Sequence, residues 1–197
     1  MNKEEVFNNA CKLHEQIVGT LSTFQTECNK LVFDASIQAL SEVKTNREDV
    51  RTHLVQSDTG TGKTTFTIAL VGTLLNAVHD YSVAYSVATI DEAQRVYNEL
   101  KKIVPQQHLE IYTSAHQPGG DFSGYGEHVQ VHIKVCGPTD KRALKKCRVV
   151  VCTHEMWLDE ATRGNDLGIR MFQGERRSHL FVDEFPSACE IFQVYPD

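Results

Sequence analysis

The run Ser57-Asp58-Thr59-Gly60-Thr61-Gly62-Lys63-Thr64-Thr65 combines glycines, a lysine and several hydroxyls in one short stretch. Glycine adopts dihedrals that side chains forbid, so the backbone around Gly60 and Gly62 can wrap tightly and aim successive N–H groups inward as an anion nest. A helix leaving such a loop adds the positive end of its dipole. Lys63 then reaches β- and γ-phosphates as a point charge, and Thr64 places its hydroxyl on a magnesium ion, Mg²⁺. This is chemistry for a nucleoside triphosphate such as ATP. Far downstream, Leu180-Phe181-Val182 ends in the acidic pair Asp183-Glu184. An Asp at the carboxyl end of a buried strand holds Mg²⁺ through water, and a Glu beside it orients and polarises the attacking water.

Each group needs an element to hold it. His53-Leu54-Val55-Gln56 reads as the end of a strand entering the loop; residues 66–77, with Ile68, Ala69, Leu70 and Leu74, read as a largely buried helix leaving it. Leu180 to Val182 is apolar without alternation, which predicts a strand covered on both faces, as in a parallel sheet between helices. Residues 81–89 read as another strand. Residues 90–100 read as an amphipathic helix with Ala93, Val96, Tyr97, Leu100 and Ile103 on one face. Arg148 to Glu155 reads as a strand ending in a polar turn, and the alternation from Val129 to Val135 predicts a half-exposed strand. Upstream, residues 3 to about 45 carry Leu13, Ile17, Leu21, Phe24, Cys28 and Leu31 at helical spacing, with Gly19 able to kink the helix. The stretch 117–126 is the most loop-like of the chain. These readings divide the chain into a helical segment over residues 1–46 and an α/β domain over 47–197.

The order of these motifs resembles the first motor domain of superfamily 2 helicases and translocases of the DEAD/DEAH type. Ser57–Thr64 is similar to that family's first motif, although Ser57 stands where the general pattern Gly-x4-Gly-Lys-[Ser/Thr] has a glycine. Ala88-Thr89 before an acidic helix resembles a nucleic-acid motif in which the family usually has Pro-Thr. Val151-Cys152-Thr153-His154 resembles its strand-end Thr motif. Asp183-Glu184-Phe185-Pro186 stands where the family has Asp-Glu-x-Asp or Asp-Glu-x-His, and it departs from both subgroups. The resemblance spans roughly residues 35 to 190.

It implies a RecA-like P-loop NTPase of α/β class, a mainly parallel sheet with helices on both faces and an N-terminal helical lead-in packed on the core. It implies ATP and Mg²⁺ as cofactors, with Ser57, Asp58, Thr59, Gly60, Thr61, Gly62, Lys63, Thr64 and Thr65 around the nucleotide. Thr64 and Asp183 would hold the metal, and Lys63 and Glu184 would act in catalysis. Thr89 and Thr153 would contact the backbone of a single- or double-stranded nucleic acid, and Gln38 sits near where several members read adenine. Family motors close ATP between two such domains, the second supplying an arginine finger worth about 10³–10⁵ in rate. The implied partner is therefore a second RecA-like domain, in the same chain or another. Ending at Asp197, the chain by itself is expected to bind nucleotide and hydrolyse it poorly.

Other readings stay open. Thr89 and Thr153 also suit helix caps, and Gln38, beside Ile37, Leu40 and Val43, also suits the solvent face of a helix. Gly119-Gly120 fits a flexible insertion as well as the family's glycine pair. A DNA-packaging ATPase shares both nucleotide motifs, and so does a stand-alone nucleotide-binding regulator without turnover. The net charge of −6 gives no global pull on a polyanion. Contacts must then be local: Lys141, Arg142, Lys145, Lys146 and Arg148 around a short helix, which also read as a solvated helix face, then Arg176-Arg177 as a second, weaker candidate. The 41% apolar content supports one sizeable core. The polar, acidic start is no signal peptide, and no apolar run approaches the roughly 20 residues that span a membrane. The expected location is cytoplasm, nucleoid or nucleus, with no membrane contact. Six cysteines without a Cys-x-x-Cys pair suit a reducing compartment, and the spacings of Cys136, Cys147, Cys152 and His154 fit no zinc pattern.

Overall fold

The computed structural model describes residues 2–45, 53–55, 60–163 and 168–183. Gln56, Ser57, Asp58, Thr59 and Glu184 lie outside the described residues, as do Phe185 and Pro186. The chain folds as two compact units, Met1–Tyr81 and Ser82–Asp197.

The first unit is helical. Helix α1 (Lys3–Val18) starts on Asn2, whose side chain accepts from Glu5 N, and stops at Gly19 with φ 89°. Helix α2 (Thr23–Thr45) starts on a reciprocal Ser-x-x-Gln box: Gln25 N donates to Ser22 Oγ at 3.2 Å, and Ser22 N donates to Gln25 Oε1 at 2.9 Å. The predicted single helix with a kink is thus two helices. The predicted stripe also fails, because Phe24 and Leu31 are more than half exposed and Ile17 is exposed as well. Four non-helical residues reset the helical phase, so a period counted across them aligns the wrong side chains. The buried set is instead Val6, Ala10 and His14 on α1 and Cys28, Val32, Phe33, Ile37 and Leu40 on α2. Both helices pack on α3 (Lys63–Ala77), with the Phe7 ring tilted against Phe33 at 5.2 Å and edge-on to Phe66 at 6.3 Å. Residues 53–55 carry no strand, which corrects the predicted strand at the loop's entry.

The second unit is built on a parallel sheet flanked by helices. Its strands are β1 (Val83–Val87), β2 (Leu109–Tyr112), β3 (Val149–Thr153) and β6 (His179–Val182), in the spatial order β2-β3-β1-β6. The connection from β1 to β2 and the connection from β3 to β6 run across the sheet in opposite directions. Right-handed crossovers therefore place α4 (Ile90–Leu100) and α7 (His154–Arg163) on opposite faces. On the α7 face, Ala84, Tyr112, Val150, Cys152, Met156 and Ile169 form one cluster with Leu144 of the short helix α6 (Lys141–Leu144). The reverse faces of β1 and β3 are also buried, and α4 buries Ala93, Val96, Tyr97 and Leu100, as its periodicity predicts.

Three expectations change here. Residues 129–135 form helix α5 (Glu127–Cys136) and not a strand. Their alternation contains the i, i+4 pair Val129 and Ile133, which is buried, while Val131 and Val135 face solvent. Strand β3 runs straight into α7 without a polar turn. β6 is not covered on both faces: Leu180 and Val182 are each 37% exposed. The loop at 117–126 contains a closed turn, Gln117-Pro118-Gly119-Gly120, with Gly119 at φ 78° and Gly120 N donating to Gln117 O at 2.9 Å. A two-residue hairpin joins β4 (Met171–Phe172) to β5 (Glu175–Arg176) through Gln173 and Gly174, both at positive φ, as such tight hairpins require.

Candidate functional site

Within the first unit, the described part of the predicted phosphate loop is Gly60 to Thr65. Gly60 and Gly62 both sit in the left-handed region, at φ 79° and 82°, which only glycine occupies without strain. Gly62 is the N-cap of α3, so Lys63 and Thr64 open that helix. The cap provides no side-chain hydrogen bond, and the first turn holds no acidic residue. The dipole's positive end therefore meets no carboxylate in the first turn of its own helix. Farther along, Thr67 Oγ donates to Lys63 O at 2.9 Å. Gln38 lies exposed on α2, where its amide donates to Glu42 Oε1 at 3.1 Å.

Within the second unit, the parallel strands bring Asp183, Thr89 and Thr153 to one edge of the sheet. β1 pairs with β3 in the register Val87↔Thr153, and with β6 in the register Ser86↔Val182. Thr89 and Asp183 follow directly at the carboxyl ends of β1 and β6. In open α/β sheets that edge is where ligands bind. Asp183 N donates to Ser86 O at 2.9 Å, and the Tyr85 hydroxyl donates to Asp183 Oδ2 at 3.0 Å. Burial first, then the charge of Asp183, pushes the Tyr85 phenol well above its ordinary pKa, so it stays a donor across the neutral range. Ser86 Oγ bonds His154 Nδ1 at 2.8 Å and ties the end of β1 to the start of α7. Thr89 caps α4, its hydroxyl accepting from Glu92 N at 3.2 Å, and Thr153 is buried one residue before α7.

The basic candidates fall elsewhere. Lys141, Arg142, Lys145, Lys146 and Arg148 precede β3, at the amino end of the strands and away from Thr153 and Asp183. Arg177 is no surface cation. It is buried, and its guanidinium donates to Leu144 O, Cys147 O and Ile169 O at 2.6–2.7 Å and to Arg148 O at 3.2 Å. Burial lowers its pKa to about 10. The expectation that Arg176-Arg177 offers a paired contact is corrected, because four carbonyls already take the second arginine.

The matched family accounts for this arrangement. A profile of DEAD/DEAH box helicases matches residues 34–185. The chain belongs to that family. Among curated proteins none matches it. The family is one of helicase-type ATP-binding motors, and the matched span takes in Gly60–Thr65, Thr89, Thr153 and Asp183. The parallel sheet and its helices are those of the RecA-like fold, here with N-terminal helices α1 and α2. No helix among the described residues is long and apolar enough to cross a membrane.

The donors present suit what this DEAD/DEAH family binds. A helix start opened by a lysine behind two left-handed glycines suits a phosphate. Among the described residues no group of three or more His, Cys, Asp or Glu side chains is placed to hold a metal. Two residues that sequence reasoning missed stand against these donors. Tyr85 is invisible as a partner because strand register, not local pattern, brings it to Asp183. His14 faces Gly62 from α1, and no motif calls for it.

Proposed function

We propose that this chain binds ATP with Mg²⁺ and hydrolyses it in response to nucleic acid, as the first motor domain of a superfamily 2 helicase or translocase. The observation that carries the reading is the amino end of α3: two left-handed glycines lead directly into a helix opened by Lys63 and Thr64 within the family-matched span. Lys63 holds the β- and γ-phosphates, and Thr65 closes the loop's first turn. Ser57, Asp58 and Thr59 complete the nest by the family pattern. Thr64 and Asp183 hold Mg²⁺, which when bound neutralises charge developing on the transferred phosphoryl oxygens. Glu184 orients and polarises the attacking water, and Gln38 is the family's candidate for the adenine. Thr89 is exposed; its cap uses an oxygen lone pair and leaves the O–H to donate to a phosphodiester. Thr153 stands before the amino end of α7, whose N–H groups suit a second phosphate. The helical segment 1–46 and the domain 47–197 act with a second RecA-like domain, in cis or in trans, that supplies the arginine finger.

The test is ATP turnover by the purified chain, with and without single-stranded DNA, single-stranded RNA and duplexes, beside Lys63→Ala. Stimulation by one nucleic acid, lost in the variant, supports a motor domain and names its track. Tight ATP binding with no stimulated turnover shifts the reading to a nucleotide-binding regulator or to a motor incomplete without its partner domain. A chain that binds no ATP refutes the proposal.

A further inference from the structure

The N-terminal helices carry a buried histidine that the nucleotide reading leaves unused. His14 of α1 is fully buried, and its Nδ1 lies 3.0 Å from Asn29 Nδ2 of α2. An amide nitrogen only donates, so Nδ1 accepts and the ring proton sits on Nε2. Burial lowers the imidazole's pKa, which keeps this neutral form at physiological pH. Nε2 has no hydrogen-bond partner among the described residues. A buried donor left in that state is unfavourable, and such groups call for an explanation. The ring is fixed against Phe66, with centroids 5.7 Å apart. Its open edge faces Gly62: a Cβ built there would stand 3.0 Å from Nε2 and 3.1 Å from Cε1. An unpaired N–H therefore reaches the glycine from which the phosphate-facing helix starts.

We propose that His14 is a phosphate-binding residue supplied by the N-terminal helices: its Nε2–H donates to an oxygen of the bound nucleoside triphosphate, and Asn29 fixes the tautomer that makes it a donor. This rests on the nucleotide reading above and extends it. The proposal accounts for the orphaned Nε2, for the amide on the opposite ring nitrogen, and for a close approach at residue 62 that excludes a side chain. It makes the pairing of α1 and α2 part of the nucleotide site as well as packing for α3.

The experiment measures ATP affinity of the full chain by displacement of a fluorescent analogue, with Lys63→Ala as control and the melting temperature of the nucleotide-free chain read in parallel. A hydrogen bond to a charged group corresponds to roughly tenfold to a hundredfold in affinity, so His14→Ala should weaken ATP by that factor. His14→Gln, which keeps an N–H donor at similar reach, should recover most of it. In ¹⁵N-labelled protein the protonated Nε2 resonance of His14 should shift when ATP is added. Unchanged ATP affinity in His14→Ala, with normal binding by the parent chain, overturns this proposal alone. Equal losses of affinity and melting temperature in both variants, with no Nε2 shift, assign His14 a packing role and also overturn it. A parent chain that binds no ATP, or a Lys63→Ala chain that binds as well as the parent, overturns the nucleotide reading and this proposal with it.

Discussion

Tyr85→Phe removes one hydroxyl from a buried ring and leaves strand β1 otherwise intact. That hydroxyl donates to Asp183 Oδ2 at 3.0 Å, and burial together with the Asp183 charge keeps it protonated. A hydrogen bond to an ionised acceptor contributes about 1.5–3 kcal/mol, and the partial solvation of Asp183 places this one near the lower end. A loss of about 1.5 kcal/mol is roughly tenfold in an equilibrium constant. The aromatic ring remains, packed 6.1 Å from Phe181, so folding stability should fall by no more than this one hydrogen bond, about 1.5 kcal/mol. The assay is ATP affinity in Mg²⁺ and in EDTA for the parent, Tyr85→Phe, Asp183→Asn and the double variant. With Asp183 as a metal holder, Tyr85→Phe should weaken binding about tenfold in Mg²⁺ and little in EDTA, and should have no further effect beside Asp183→Asn. A coupling energy below about 0.5 kcal/mol between the two positions would refute the argument that Tyr85 aims the carboxylate.

Three further outcomes are expected. Gly60→Ala and Gly62→Ala both force a side chain into the left-handed region, at about 1–2 kcal/mol each. Only at Gly62 does the new Cβ also press on His14, so urea melts should show Gly62→Ala the less stable by at least about 1 kcal/mol; equal losses would contradict the contact. Arg177→Met strips the donors from four carbonyls and should destabilise by more than about 3 kcal/mol in chemical denaturation, and Arg177→Lys, with a single ammonium, should recover only part. Acidification should destabilise the fold through His116, whose pKa burial, aided by the nearby His132, lowers to about 4. The folded state disfavours the imidazolium, so this contribution is complete above the unfolded value near 6.5 and is lost as pH falls toward 4. At pH 5 the loss amounts to about 2 kcal/mol, and His116→Gln should flatten the dependence measured by denaturant melts between pH 7.5 and 5.

What could be read from the sequence was what is contiguous along it. The phosphate loop is built by successive residues, so Gly60, Gly62 and the start of α3 at Lys63 follow from local backbone chemistry alone. Helix α4 was legible for a similar reason: Thr89 marks its start and Ala93, Val96, Tyr97 and Leu100 keep one phase over two turns. The failures come where one pattern serves two elements. Val129, Val131, Ile133 and Val135 satisfy a period of two, yet Val129 and Ile133 also lie one helical turn apart, and the short core offered by Ala115 rewards that pair. In the N-terminal helices, the break at Gly19 ends one phase and the Ser22–Gln25 box begins another, so apolar residues that align on paper point apart in space.

The site shows the same division more sharply. Lys63, Thr64 and Asp183 stand out as candidates because phosphate and metal chemistry restricts which residue types can serve. The groups that aim them are not restricted in this way. Tyr85 reaches Asp183 from 98 residues away, through the register of β1 on β6, and its neighbour Ser86 reaches His154 from 68 residues away. Slipping that register by one residue would take the Tyr85 hydroxyl away from Asp183, although every motif would read the same. His14 likewise meets Gly62 only because Asn29 and Phe66 fix its ring. For this chain, substitutions at Tyr85 and His14 therefore discriminate between a nucleotide site assembled by the fold and motifs that merely occur in it, a distinction that changing Lys63 alone does not make.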